Sequence, residues 1–201
     1  MNRMTWTWVE ATRKTAVVTA LLFAALTGIG ALMRVPLFPV PVTMQLFFVL
    51  LAGLVLGPVW GPISQLTYLV MGIAGAPFFA AWPHAGPAVL FGPTAGYLWG
   101  FIGAALVTGR LAATPGCKQA EGRRLHLRLL MAALAGVTVC YVMGTSWLAA
   151  WLGAHGSDSS MAFRLGVQPF IVADLCKAIL AAGAAMLMQR RPGADTEERL
   201  T

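Results

Sequence analysis

Long apolar runs occupy most of this chain and restrict what it can fold into. The run 167–188 is long enough, at ~1.5 Å per helical residue, to cross a hydrocarbon layer of roughly 30 Å. Charged residues make up only 10% of the 201 residues, whereas a soluble domain carries roughly 25% to cover its surface. The sequence therefore predicts an all-α integral membrane protein. Six apolar helices are predicted, at about 15–33, 43–57, 62–75, 93–112, 128–152 and 167–189.

Two segments rich in proline and glycine separate the first three runs. The segment 34–42 contains three prolines, so it favours an extended, stiff connection over a continuous helix. Gly57, Pro58, Gly61 and Pro62 predict a tight break between the second and third runs, both of which are short. Two arrangements are therefore open: six spans, or four spans with the short pair forming a re-entrant element.

Basic residues are distributed unevenly between the two predicted sides of the membrane. Cytoplasmic loops carry an excess of Lys and Arg, and only Arg34 and Arg164 fall opposite that excess. We therefore predict cytoplasmic termini and outward-facing loops at 34–42, 76–92 and 153–166. The chain is expected to be a single membrane domain over 1–201, with a cytoplasmic N-terminus at 1–14, a six-helix bundle at 15–189 and a cytoplasmic tail at 190–201. The residues on the predicted cytoplasmic side are Arg3, Arg13, Lys14, Arg110, Lys118, Arg123, Arg124, Arg128, Arg190, Arg191 and Arg199.

Asp174 and Lys177 are charged residues within the last apolar run. Each costs a few kcal/mol at membrane depth, so their shared helical face is expected to look into protein or into a water-filled cavity. One interpretation is an internal ion pair that joins the last helix to its neighbours. The other is a ligand site with one acceptor and one donor, suited to a small polar or zwitterionic molecule. The apolar outward loops would then form the mouth or lid of a pocket.

Other patterns argue against several functional classes. The net charge of +7 does not indicate nucleic-acid binding, because no aromatic platform is interleaved with the basic residues. Cys117, Cys140 and Cys176 lack the spacing of a metal site, so no metal is predicted. The spans carry no phosphate-binding loop, HExxH helix or nucleophile elbow, so no catalytic residue is predicted and the chain is not expected to be an enzyme. An intramembrane enzyme with Asp174 as general base, and a purely structural subunit, are the alternatives from other classes.

Five short segments, taken in order, resemble the BioY family, the biotin-binding S components of energy-coupling factor transporters. The resemblance extends over roughly residues 13–190. It implies a six-helix S-component fold in a bacterial cell membrane, capture of biotin in an outward-facing pocket and delivery to the cytoplasm. It also implies a transmembrane coupling protein and an ATPase pair as partners, with ATP used only there and no cofactor in this chain. The segments are "RVPLFPVPVTMQ", "LLAGLVLGP", "GIAGAPFFA", "FGPTAGYLWGF" and "PFIVADLCKAILAA".

The resemblance also assigns candidate site residues. Asp174 and Lys177 match the polar contacts to the vitamin, with Asp174 expected on a ureido N–H. Thr43 and Gln45 match the outer loop that covers the pocket, and Tyr97 matches the beginning of the fourth helix. After the "P.FA" step the family has a glycine-rich run, whereas this chain has the sequence 81–86. The candidate lid contacts there are Trp82 and His84.

Ala16, Ala20 and Ala24 form a stripe of small residues along the first helix. Such a stripe permits close helix approach, either within the chain or, as the resemblance implies, against the coupling protein. Three functional alternatives to an importer subunit with partners also remain open from sequence: a stand-alone biotin facilitator, a transporter of another small vitamin, and the enzyme discussed above.

Overall fold

A computed structural model describes residues 13–189, and these form a bundle of helices. The only strands in that range are two-residue segments, β1 (Arg34–Val35) and β2 (Val42–Thr43), which pair antiparallel and close the proline-rich segment into a hairpin. Short 3₁₀ turns occur at Pro87–Phe91 and Ser159–Met161. The helices are α1 (Arg13–Leu32), α2 (Gln45–Ile73), α3 (Ala95–Ala112), α4 (Pro115–Lys118), α5 (Gly122–Ala154), α6 (Ala162–Gly166) and α7 (Ile171–Gln189).

The second and third apolar runs form α2, which reverses direction at Gly57. This residue has φ 77° and ψ −168°, a conformation that essentially only glycine adopts. A straight helix would separate Gln45 from Tyr68, 23 positions later, by roughly 35 Å, yet their side chains are hydrogen-bonded at 2.6 Å. The first half of α2 (45–56) therefore runs antiparallel to the second half (58–73). The predicted break is confirmed as a sharp turn with no intervening loop.

Small residues allow α2, α3 and α5 to approach closely. A Cβ at Gly109 of α3 would lie 2.5 Å from the carbonyl carbon of Gly57, so the α2 turn rests directly on the end of α3. A Cβ at Gly100 would lie 3.2 Å from Cα of Cys140 on α5. In membranes, where lipid offers apolar surface as well, such close packing is a main source of helix association.

The alanine stripe on α1 faces the interior of the protein. Ala20 and Ala24 are fully buried, and Thr27, the next residue along the same face, donates a hydrogen bond to Oε1 of Gln65 in α2. Ala16 is buried as well. The structure therefore places this stripe in close packing within the chain. The opposite face of α1 is exposed and apolar, for example at Val18 and Leu22.

Within residues 13–189, four helical segments have the length and composition of membrane spans: 14–32, 45–73, 122–154 and 171–188. Their exposed residues are largely apolar, as expected of a multi-pass membrane protein. Since 45–73 reverses at Gly57, that segment does not cross as one straight helix. Helix α3, with 18 residues and Arg110 in its last turn, packs between α2 and α5.

Two helix boundaries differ from the sequence predictions. Helix α7 begins at Ile171 because 167–170 forms a turn, in which the N–H of Phe170 donates to the carbonyl of Val167 at 2.9 Å. Asp174 therefore lies in the first turn of α7. Helix α5 begins at Gly122, before the beginning predicted at about residue 128. The predicted cytoplasmic residues Arg3, Arg190, Arg191 and Arg199, and with them the two termini, lie outside the described residues.

Candidate functional site

A cleft opens where α2, α3 and α7 begin. It encloses about 600 Å³ of empty space, including the part that opens to solvent. Its walls are mainly apolar, with a few polar groups, which is the usual composition of a small-molecule site. The lining residues are Val40, Pro41, Thr43, Gln45, Leu46, Phe79, Ala80, Ala81, Val89, Thr94, Tyr97, Leu98, Phe101, Cys140, Tyr141, Phe170, Asp174 and Lys177.

The charged side of this cleft is a hydrogen-bonded group of three side chains. Nζ of Lys177 lies 2.6 Å from Oδ1 of Asp174, and the hydroxyl of Tyr141 donates to Oδ2 at 2.7 Å. The ion-paired side chains are only 7% and 6% exposed. Since a buried charge without a partner is costly, each group here stabilises the others. Their arrangement also presents an anionic acceptor beside a cationic donor at the cleft wall.

The uncharged polar side of the cleft is held by a chain of hydrogen bonds. Thr43 donates to Oε1 of Gln45 at 3.2 Å, and Nε2 of Gln45 donates to the hydroxyl of Tyr68 at 2.6 Å. The Tyr68 hydroxyl in turn donates to the carbonyl of Phe78 at 3.1 Å. Tyr68 is fully buried and comes from the second half of α2. It therefore fixes the position of Gln45 and of the loop that follows α2.

We expect Tyr68→Phe to lower the free energy of unfolding by about 1–3 kcal/mol, because the buried Gln45 amide and Phe78 carbonyl each lose a partner. Unfolding of the purified protein in mixed micelles measures this. Thr138→Val is a matched control, since it removes an exposed hydroxyl bonded only to Leu134 of its own helix. Equal stability of the two variants would contradict a structural role for the Tyr68 hydroxyl.

Five of the seven residues expected to bind a ligand line this cleft together: Thr43, Gln45, Tyr97, Asp174 and Lys177. The Tyr97 hydroxyl donates to the carbonyl of Gly166 at 2.8 Å, so its proton is already used within the protein, while its ring lines the cleft.

Trp82 and His84 do not line the cleft. The Trp82 side chain is 84% exposed. The His84 ring lies 3.0 Å from Nη1 of Arg34 and 3.0 Å from the carbonyl of Phe79. Arg34 also donates to the carbonyl of Ala80 at 2.7 Å. These contacts join the β1–β2 hairpin to the loop 76–92, so they hold the two outer loops together beside the cleft.

Sequence reasoning named Tyr141 among several aromatic residues that could be pocket walls but favoured interface anchors for that group. Phe79 fell in an outward loop and Phe170 in a segment of the resemblance, and Phe101 was not named. Tyr141 lies well inside the long helix α5, away from either end. A tyrosine at such a depth needs a hydrogen-bond partner for its hydroxyl. This requirement was the signal in the sequence that could have pointed to a polar neighbour. Among residues 13–189, no group of three His, Cys, Asp or Glu side chains could hold a metal ion.

The chain is similar to known membrane transporters over most of its length. A probable biotin transporter BioY of Pyrococcus horikoshii is 42% identical over 172 residues, which is 86% of this chain and 93% of the relative. The biotin transporter BioY of Thermotoga maritima is 37% identical over 169 residues, 84% of this chain and 92% of the relative.

The fold is also known from crystallography. A crystal structure of the S-component for biotin from an ECF-type ABC transporter superposes with a TM-score of 0.78 at 20% identity, and the match covers 93% of this chain and 97% of that chain. The sequence model of the BioY family matches residues 2–193. The chain therefore belongs to the BioY family.

Proposed function

We propose that this chain binds biotin in the cleft and imports it as the substrate-binding S component of an energy-coupling factor transporter. The observation that carries the proposal is the buried Asp174–Lys177 pair, which sits in an apolar, open cleft of a BioY-family chain. The relatives at 42% and 37% identity are named as biotin transporters. Because the chain belongs to a family of transporters, the alternative of an intramembrane enzyme is no longer favoured.

The chemistry of biotin matches the polar groups of the cleft. Its ureido group has two N–H donors and a carbonyl acceptor, its thioether ring is apolar, and its tail ends in a carboxylate. Both Asp174 oxygens already accept one hydrogen bond, but a carboxylate offers about four lone-pair sites, so a ureido N–H can be added without breaking the ion pair. Lys177 can donate to the ureido oxygen or to the tail, and Thr43 and Gln45 supply further polar contacts. Tyr97, Phe79, Phe101 and Phe170 would cover the ring.

The cleft is proposed to open outward in a six-span arrangement. Arg110 at the end of α3, and Arg123, Arg124 and Arg128 at the beginning of α5, lie at the end of the bundle away from the cleft. By the positive-inside tendency this end is cytoplasmic, and both termini would then be cytoplasmic too. The turn at Gly57 reaches Gly109, one residue before Arg110, so the two halves of α2 extend as deep as α3 does. This depth supports two crossings over a re-entrant element.

The proposal includes partners that use ATP. An ATPase pair and a transmembrane coupling protein would supply the energy, in a bacterial cell membrane, and this chain would need no cofactor of its own. Docking of the coupling protein on Ala16, Ala20 and Ala24 would require α1 to move away from α2, because these residues are buried. The exposed apolar face of α1 at Val18 and Leu22 is open to a partner without such a movement.

Radiolabelled biotin tests the proposal on purified protein in nanodiscs. We expect saturable binding of one biotin per chain that unlabelled biotin displaces and thiamine or riboflavin does not. Protein that is folded by size exclusion and thermal melting yet binds no biotin would contradict the proposal, and displacement by another vitamin would reassign the substrate.

Proteoliposomes with this chain alone test the partners: uptake without an ATPase would identify a stand-alone facilitator.

A further inference from the structure

A second recess lies beside Lys177, between the end of α1 and the beginning of α7. We call it the lateral groove. It has about 770 Å³ of empty space, including its open side. One wall comes from the end of α1 and the β1–β2 hairpin, and the other from the beginning of α7. The residues used below to define it are Met33, Val35, Val42, Met44, Cys176 and Leu180.

The lateral groove exists because α1 and α7 both pack on α2 but do not pack closely on each other. Helix α1 packs mainly on α2, while α7 packs on α5 and α2. Within residues 13–189, no segment fills the space between the end of α1 and the beginning of α7. Met33, Cys176 and Leu180 are all exposed there. Since this part of the chain lies within or at the end of candidate spans, the groove faces acyl chains.

Arg34 gives the groove a charged upper edge. It follows Met33 directly after the end of α1, at the level where a span meets the lipid headgroups. Its Nη1 donates to the carbonyl of Ala80 and lies 3.0 Å from the His84 ring, and its Nη2 lies 3.5 Å from the same ring. A guanidinium has five N–H donors, so donors on Nε and Nη2 remain for an anion. Arginine pairs well with phosphate. An apolar channel below a cation is complementary to a phospholipid, whose phosphate stands above its acyl chains.

We propose that the lateral groove binds one phospholipid, with an acyl chain along Met44, Cys176 and Leu180 and its phosphate on Arg34. Lys177 and Thr43 line both this groove and the cleft described above, so these two residues form part of the wall between the two spaces. A bound acyl chain closes that wall. It keeps water away from the Asp174–Lys177 pair on the side where the protein itself is thin.

Native mass spectrometry of the full chain tests this proposal. The protein is taken from nanodiscs of phosphatidylglycerol into a detergent that strips loosely held lipid, and the phospholipid retained per chain is counted. We expect one phospholipid on the wild type and none on Leu180→Trp, which fills the groove. Leu175→Trp is the matched control, because Leu175 is an exposed leucine of α7 outside the groove, and it should retain lipid as the wild type does. Arg34→Gln should weaken retention about tenfold.

A second measurement avoids any folding defect of the tryptophan variant. Cys176 is exposed, whereas Cys117 and Cys140 are buried, so N-ethylmaleimide can be attached at Cys176 after the wild type has folded. This adduct should also displace the phospholipid. Equal lipid retention before and after modification, or by Leu180→Trp and Leu175→Trp, would overturn the proposal. So would a two-chain mass without lipid, which would mark the groove as an interface between copies.

Discussion

Lys177→Met is expected to lower the free energy of unfolding by about 3–5 kcal/mol, because it leaves the buried Asp174 carboxylate without its cation. Tyr141 alone would then partner the carboxylate. Unfolding in mixed micelles measures the loss. Lys14→Met is the matched control: Lys14 is exposed near the beginning of α1, so its replacement should change stability by no more than about 0.5 kcal/mol.

The double variant Asp174→Asn/Lys177→Met separates the two interpretations of the pair. Removing both charges should restore stability to within about 1 kcal/mol of the wild type, since a buried ion pair and a neutral pair of similar volume are often equally stable. Biotin binding should nevertheless be absent from the single and the double variants. If the stable double variant bound biotin as well as the wild type does, the pair would be a structural clamp and not a ligand site. Full stability of Lys177→Met would instead show that the fold does not depend on this ion pair.

Gly109→Ala is expected to destabilise the fold by about 1–3 kcal/mol or more, because the added methyl group meets backbone and not a flexible side chain. The new Cβ would lie 2.5 Å from the carbonyl carbon of Gly57 and 2.8 Å from the nitrogen of Pro58. The contact at the α2 turn must then open. Thermal melting of the purified protein, together with the fraction that is monodisperse, measures the effect.

Gly183→Ala is the control for this substitution. Gly183 is also inside a helix, but the nearest atom to its added Cβ is Cε1 of His126, at 3.9 Å. Because alanine is the better helix former, this change should stabilise the protein by roughly 0.5–1 kcal/mol. Opposite signs for the two variants are therefore predicted. Similar melting temperatures would show that α3 does not rest on the α2 turn in the folded protein.

The sequence predicted the helical segments well and their spatial relations less well. Gly57 and Pro58 marked the break in α2 because glycine reaches backbone conformations that are closed to other residues and proline lacks the N–H that a continuous helix needs. The antiparallel course of the two halves depends on tertiary contacts such as Gln45 with Tyr68, and hydrophobic periodicity does not report these. The late beginning of α7 at Ile171 has a similar cause, since the turn at 167–170 is apolar like the helix after it.

The residues of the candidate site were also predicted better than their spatial relations. Charged residues in an apolar run are rare, so Asp174 and Lys177 stood out, and the structure brings them together with Tyr97 at one cleft. An aromatic residue in a span looks the same in sequence whether it lines a cavity or anchors the helix at the interface. Tyr141 was therefore one of several possible pocket walls in the sequence, and the structure distinguishes it by the hydrogen bond from its hydroxyl to Asp174.

The ion pair in the cleft also has an electrical consequence. Asp174 and Lys177 neutralise each other, so the empty site is uncharged, while biotin at neutral pH brings an ionised tail. On the proposed function, the loaded subunit carries one net negative charge inward, toward the negative side of an energised membrane. That movement is opposed by about 2.3 kcal/mol per 100 mV if the charge crosses the whole field. Voltage alone would thus drive the vitamin out, and accumulation requires work from another source.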